Sequence, residues 1–260
     1  MSSKVRYGVD GSGVATIALD DPLTRNALGD DLLDELTARL QDARDDDRVR
    51  VVVLTSADDR VFSSGGNLKA FTDDRSAVQK YQGFDRFPRL FQLIGSLGKP
   101  SVCAANGDVL AGAFGLALAC DLIVARAGIR LGCPEITVGV FPFMISPLVL
   151  RSMPRAVANE LLLTGRLMSA EEAYALHVVN AVAPAGELAA TVGRLTDTLA
   201  SASPLLMKMG KEALHATTDL SLPQAFAYLQ GQLALAATTD DLHEGILAFR
   251  EKRTPQWTGR

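Results

Sequence analysis

The stretch NGDVLAGAFGLALACDLIVARAGIRLGCPE, residues 106–135, decides how this chain folds. It holds a glycine turn at Asn106-Gly107, a helix start built from small residues at Ala111-Gly112-Ala113, a short apolar strand and then one carboxylate, Glu135, directly after Pro134. Backbone N–H groups left free at a helix start hold developing negative charge, and a carboxylate beside them moves protons. A second glycine turn, Phe62-Ser63-Ser64-Gly65-Gly66-Asn67-Leu68-Lys69, follows an earlier strand and offers another N–H donor. Two such turns and one glutamate point to enolate chemistry next to a carbonyl. Taken alone, the spacing of Gly107, Gly112 and Gly115 fits tight helix packing just as well, and the Gly65-Gly66 pair is only a turn. The order of elements carries the reading: strand, glycine turn and helix, twice over, then Pro134-Glu135.

Outward from this stretch, the first part of the chain alternates strands and helices. Val5, Tyr7 and Val9 alternate like a strand, and Val14 to Leu19 forms its hairpin partner across Asp10-Gly11-Ser12-Gly13. Leu32, Leu33, Leu36 and Leu40 recur at helical spacing, and Arg50 to Thr55 reads as a buried strand. A helix is expected over much of Ser76 to Leu97, ending before Pro100, with short strands at Ser101–Ala105 and Leu122–Ala125. This rhythm implies an α/β fold of parallel strands joined by crossover helices, with loops at the strand ends free for chemistry. From Ser146 on the strand signal fades. Helices are expected over Ala170–Leu176, Glu187–Ala200, Leu205–Thr217, Pro223–Ala237 and Leu242–Lys252. A boundary is placed near Leu195, dividing an α/β core, 1–195, from a helical region, 196–260.

With 260 residues, the chain has enough length for a large core, and 48% apolar residues fit a well-packed globular protein that also meets other subunits. The mean hydropathy is +0.15. A net charge of -4 gives no general attraction to nucleic acid or an anionic membrane. Cys103, Cys120 and Cys133 lie in apolar segments without metal-ligand spacing, so they read as buried free thiols rather than a metal site. No apolar run is long enough to span a bilayer, and neither a signal core nor an Arg-rich transit segment opens the sequence. The expected location is cytoplasmic.

The ordered set of motifs resembles the enoyl-CoA hydratase/isomerase (crotonase) family over nearly the whole chain. It comprises Arg25-Asn26-Ala27-Leu28, Phe62 to Lys69, Lys99-Pro100, Asn106-Gly107, Ala111-Gly112-Ala113, Cys120-Asp121, Pro134-Glu135, Leu163-Thr164-Gly165 and the closing Ala248 to Arg253. The resemblance implies a crotonase-like ββα spiral core followed by a C-terminal α-helical trimerisation region that also covers the CoA site. It implies a homotrimer or a dimer of trimers, and a coenzyme A thioester as substrate with no separate cofactor and no metal. By position, Gly66 and Gly112 match the glycines whose amides form the family's oxyanion hole, and Glu135 matches its acid/base glutamate. Arg25, Ala27, Gly65, Asn67, Leu68, Lys69, Gly115, Phe143, Phe249 and Lys252 are the further substrate-binding candidates, with Arg25, Lys69, Lys252 and Arg253 directed to phosphates.

Two departures from the family pattern matter. Hydratases of the family commonly carry a second glutamate three residues after the oxyanion glycine, where this chain has Gly115. The Phe141-Pro142-Phe143-Met144 segment replaces a glycine-rich turn, and Phe143 is expected to fill part of the acyl pocket. With one carboxylate, the simplest competent mechanism shuttles a proton and moves a double bond; hydration stays open beside it. The rival readings are a non-catalytic acyl-CoA-binding relative and a decarboxylase or thioester hydrolase. Asp121 is expected to brace the core turn. His177, His215 and His243 pair with no nucleophile, and Ser63 and Ser64 lack the His and Asp motif of a serine hydrolase.

Overall fold

The computed structural model describes residues 3–260. Its strands form two sheets. The larger has the order β1 (Val5–Val9), β2 (Val14–Leu19), β3 (Val51–Ser56), β5 (Ser101–Ala105), β7 (Leu122–Arg126) and β10 (Ala181–Ala183); the smaller has β4 (Val61–Ser63), β6 (Asp108–Leu110), β8 (Arg130–Gly132) and β9 (Leu167–Ser169). Each turn of the chain lays one strand in each sheet. Thus β3, β5 and β7 run parallel in one sheet while β4, β6 and β8 run parallel in the other. This is the ββα spiral that the family resemblance implies. Among the described residues, only β1 with β2 and β8 with β9 pair antiparallel.

The apolar run Val51-Val52-Val53-Leu54 is continuous because the larger sheet is covered on both faces. Val52 and Leu54 face the main core with Leu32, Leu36, Leu40 and Phe114, while Val51 and Val53 face a second cluster with Val102, Val124 and Val192. Helix α1 (Asp30–Asp45) buries Leu32, Leu33, Leu36 and Leu40, the stripe its spacing predicts. All three cysteines are buried and free.

The helix expected over Ser76–Leu97 divides in two. After the short α2 (Lys69–Thr72) come α3 (Ala77–Phe84) and α4 (Arg86–Gly95), meeting at Asp85. Pro88 explains the break: it has no N–H to donate to the carbonyl of Phe84, and its ring crowds that turn. Helix α5 (Gly112–Ala119) follows β6, and α8 (Ala170–Ala175) matches the helix expected over Ala170–Leu176, while α6 (Ser146–Ser152), α7 (Arg155–Thr164) and the strands β9 and β10 stand where no element was expected. The boundary near Leu195 falls inside one continuous helix, α9 (Leu188–Ala200), which packs on the larger sheet with Leu188, Leu195 and Leu199. The peripheral helices therefore start after Ala200, with α10 (Pro204–Thr217), α11 (Leu222–Ala236) and α12 (Asp240–Glu251).

A buried polar lock fastens α10 to the core. Lys211 Nζ donates to Asp121 Oδ2 at 2.7 Å, to the carbonyl of Lys99 at 2.9 Å and to Ser101 Oγ at 3.2 Å. Asp121 also accepts from the Ser101 amide at 2.6 Å, so the aspartate braces the core turn as expected. At the far end, the buried Asp241 accepts from the amides of Thr258 and Gly259 at 2.7 and 3.0 Å and ties the last residues to α12. Replacing Lys211 by Met strands the donors' partners, Asp121 and Ser101, beside an apolar stem. Because Asp121 is partly open to solvent, the expected loss is roughly 2 kcal/mol, below the full cost of breaking a buried pair. Urea unfolding checks this, and Lys211→Met should lose more than Asp240→Ala on the surface.

Candidate functional site

The first glycine turn is built by a fold-back of residues 21–28 against β4. Asn26 has φ of 54° and is buried; its side chain accepts from the Asp21 amide at 2.7 Å and donates to Ser56 Oγ and the Phe62 carbonyl, both at 2.9 Å. Asparagine tolerates this left-handed backbone better than most residues. Held there, the loop presents Leu28 to the turn: the Leu28 amide donates to the Gly65 carbonyl at 2.7 Å, and the Ser64 amide to the Arg25 carbonyl at 3.0 Å. Ser63 is fully buried, donating from Oγ to the Asn26 carbonyl at 2.7 Å and accepting from the Gly65 amide at 3.1 Å. Its hydroxyl is committed to the scaffold. Asn26 and Ser63 brace the turn, a role that sequence reasoning missed although both stood inside quoted motifs.

The second turn meets the first at Gly65. With φ of +90°, a Cβ there would collide with Ala111 Cβ, and would stand 2.8 Å from the Leu110 carbonyl and 3.2 Å from the Gly112 nitrogen. Only glycine lets these backbones touch. Ala111 has φ of 55°, a costly conformation for a residue with a Cβ, and is held by its own amide's bond to the Gly132 carbonyl at 2.8 Å. The next residue, Gly112, opens α5, so its N–H has no acceptor within the helix. Among the described residues neither the Gly66 nor the Gly112 N–H donates to any protein group. One ring reaches both glycines: Phe87 Cζ lies 4.0 Å from the Cβ position of Gly66 and 3.4 Å from that of Gly112.

Glu135 stands at the start of a tight 3-10 turn, Pro134–Val138, directly after β8 and the buried Cys133. Gly165 closes the other side: at φ of +70°, its Cβ position is 2.9 Å from Ile136 Cγ2 and 3.5 Å from Pro134 Cα. The Leu163-Thr164-Gly165 motif thus ends α7 in a shape that seats the glutamate turn. Oxygen Oε2 of Glu135 is buried without a hydrogen-bond partner. Burial raises its carboxyl to about 7, opposed only weakly by its own backbone N–H, and no charged neighbour contributes.

These parts border one cavity of about 710 Å³. Among the residues expected at a site, Ala27, Gly66, Asn67, Leu68, Lys69, Gly112, Glu135 and Phe143 line it. Gly65 lies behind Gly66 as the contact between the turns, and Gly115 is sealed off by neighbouring side chains. Arg25, Phe249 and Lys252 do not reach it; Phe249 is 84% exposed on α12, far along a helix that packs on α10. Phe143 lines the cavity yet is 67% exposed, its ring resting on Phe141 at 4.9 Å. It sits at the rim rather than filling the interior. The inner filling falls to Phe87 and Ile145, which sequence reading did not single out.

Seven charged side chains also border the cavity. Lys4 lies 3.6 Å from Asp21 and 3.5 Å from Asp31, and Arg75 pairs with Asp30 at 3.0 Å and Asp73 at 2.7 Å. Lys69 is the one lining cation without an ion-pair partner among the described residues.

The family profile described as enoyl-CoA hydratase/isomerase matches residues 10–260. A putative enoyl-CoA hydratase of Thermus thermophilus is 37% identical over 252 residues, covering 96% of this chain and 99% of that protein. A carnitinyl-CoA dehydratase of Proteus mirabilis is 34% identical over 265 residues, with complete coverage of both chains (100% and 100%). In structure, an enoyl-CoA hydratase of Mycobacterium smegmatis superposes with a TM-score of 0.95 at 27% identity, covering 98% of this chain and 99% of that one. With two touching glycine turns, a strained residue aiming a free helix-start amide, and a profile matched almost end to end, the chain belongs to the enoyl-CoA hydratase/isomerase family.

Proposed function

We propose that this chain processes enoyl-type acyl-CoA thioesters by stabilising a thioester enolate, with Glu135 as the sole acid/base. The observation that carries the reading is the unpartnered Oε2 of Glu135 in the same cavity as two amides, Gly66 and Gly112, that donate to nothing else. The thioester oxygen accepts from both N–H groups, and each bond strengthens as that oxygen gains charge. Well-studied donors of this kind are each worth about 10²–10³ in rate. The carboxylate takes the proton from the adjacent carbon, and a value near 7 lets it be both base and acid at neutral pH. Lys69, uncompensated at the cavity wall, is the residue we assign to a phosphate of coenzyme A. Coenzyme A is part of the substrate, and no separate cofactor or metal enters the scheme. The named relatives act on CoA thioesters, which supports this substrate class.

The test is exchange of the thioester's α-hydrogen in deuterated buffer, followed by mass spectrometry with a saturated acyl-CoA. Exchange should rise about tenfold per pH unit below 7 and level off above it. Glu135→Gln should lower it by about 10²–10⁴-fold and abolish the acid limb. Equal exchange in the variant ends the reading, and tight acyl-CoA binding without any exchange favours a carrier instead.

The same group makes a stability prediction. The folded carboxyl sits near 7 and the unfolded one at its ordinary 4.5. The folded state therefore holds the proton more tightly, and the stability that goes with it is present below 4.5 and is lost as pH rises to 7. Glu135→Gln, which carries no charge, should raise the melting temperature at pH 8 by a few degrees and leave it unchanged at pH 4. Calorimetry at the two values decides it.

We also infer that copies of this chain associate through α11 and α12. Helix α11 buries no residue within its own chain, and Leu222, Phe226 and Leu233 stand exposed with Phe249 of α12. Light scattering should give three or six times 27.6 kDa, and Phe226→Asp should lower that mass. A monomer at micromolar concentration contradicts the inference.

A further inference from the structure

Position 115, where the family resemblance places a second glutamate, is closed off by packing in this structure. Gly115 lies one helical turn after Gly112 on α5, so the two residues look the same way. A Cβ at Gly115 would overlap Ile145 Cγ2 and would lie 2.8 Å from Phe91 Cζ and 3.1 Å from Ile145 Cβ. Ile145 precedes α6, is 1% exposed and lines the cavity. Phe91, buried on α4, packs against Phe87 with ring centroids 6.1 Å apart. Phe87, Phe91 and Ile145 thus form one apolar file over the flank of α5 where Gly112 and Gly115 lie.

Two consequences follow. No side chain at position 115 enters the cavity unless Ile145 gives way: small at one position and large at the other are a matched pair. An ordered water also needs two to four polar partners, and this wall offers none. Among the described residues, Glu135 is the only group lining the cavity whose acid/base atom is buried without a partner, and no charged residue acts on it.

We propose that Ile145, braced by Phe91, is the specificity-determining residue of this site: it takes the room of a second acid/base side chain and confines the reaction to proton transfer within the acyl chain, shutting out water addition. This rests on the reading of Glu135 as acid/base. In a 3-enoyl thioester the Glu135 carboxylate takes a proton from C2. The C2–H pair forms the C1–C2 double bond of a dienolate, and the carbonyl pair moves onto the oxygen held by the two amides. On collapse the oxygen pair re-forms the carbonyl and the C1–C2 pair moves to C2–C3. The former C3–C4 pair then takes the proton back from the Glu135 carboxylic acid at C4. The product is the 2-enoyl thioester; nothing is consumed and no water enters.

The experiment gives the purified full-length protein 3-enoyl-CoA or 2-enoyl-CoA in water labelled with oxygen-18 and follows products by mass spectrometry. The wild type should turn 3-enoyl into 2-enoyl thioester and form 3-hydroxyacyl thioester at least tenfold more slowly. Ile145→Ala should raise the ratio of hydration to isomerisation by tenfold or more. Gly115→Glu alone should melt lower than wild type, and Gly115→Glu with Ile145→Gly should recover the melting temperature and hydrate faster than either single variant. The proposal is overturned if the wild type hydrates as fast as it isomerises. It is equally overturned if folded Ile145→Ala keeps the wild-type ratio, or if C2 exchange proceeds without any movement of the double bond. These failures differ from failure of the parent reading, in which Glu135→Gln exchanges the α-hydrogen as fast as wild type. If the double variant does not fold, the Ile145→Ala ratio alone decides.

Discussion

The contact between the two glycine turns at Gly65 and Ala111 is the constraint on which the site depends. Strands β4 and β6 are adjacent and parallel, and neighbouring strands lie about 4.8 Å apart. Turns leaving the same end of such strands therefore arrive side by side, and their amides converge without any long-range adjustment. The closeness still demands a residue without Cβ at position 65, since Ala111 and the Leu110 carbonyl fill that space. It also holds Ala111 in a backbone shape costing on the order of 1–3 kcal/mol. The Asn26 and Ser63 hydrogen bonds behind one turn, and the Ala111 amide bond behind the other, keep that shape from relaxing.

Glu135 departs from good packing in a different way. An unpartnered buried carboxyl lowers stability wherever it is ionised, and departures of this kind gather at functional sites. Here the cause is plain: no charged neighbour and no side-chain donor acts on it, so burial outweighs the one lowering contact, its own backbone N–H. The Gly165 closure against Ile136, Thr137 and Pro134 braces the turn that carries it.

How far the sequence was legible follows from element length and from what each signal measures. Val14–Leu19 and Val51–Ser56 were readable because long apolar runs or hairpin signals mark them. Strands β4, β6, β8, β9 and β10 have three residues each, too few for any periodicity, and their existence follows only from stacking on the turn before. The positions of Gly66, Gly112 and Glu135 around one cavity could be anticipated from the order of motifs that resembles the family's, which needs only two glycine turns, a helix start and one carboxylate in sequence. Phe249 and Lys252 could not be placed: helical spacing says which residues share a face, not which cavity the helix reaches. Asn26 was visible as a letter in a motif, while its left-handed backbone and three partners belong to tertiary structure.

The glycines of α5 show why packing and chemistry resist separation by pattern alone. Gly112 and Gly115 sit one turn apart on one helix, and a Cβ would clash at both: at Gly112 with Phe87 Cε1, 2.9 Å away, and at Gly115 with Phe91 and Ile145. Tight helix packing and a cavity wall thus meet in one segment, with Gly112 lining the cavity and Gly115 behind it. The two are then joined by dielectric. Of the apolar file packed against the glycines, Phe87 and Ile145 line the cavity, and an apolar wall strengthens any hydrogen bond made beside it. Burial likewise destabilises ionised Glu135 and keeps its proton affinity near neutrality. A substitution that admits water past Ile145 therefore relieves the burial that raises the Glu135 carboxyl, and that value is tied to how closely the segment before α6 seats on α5.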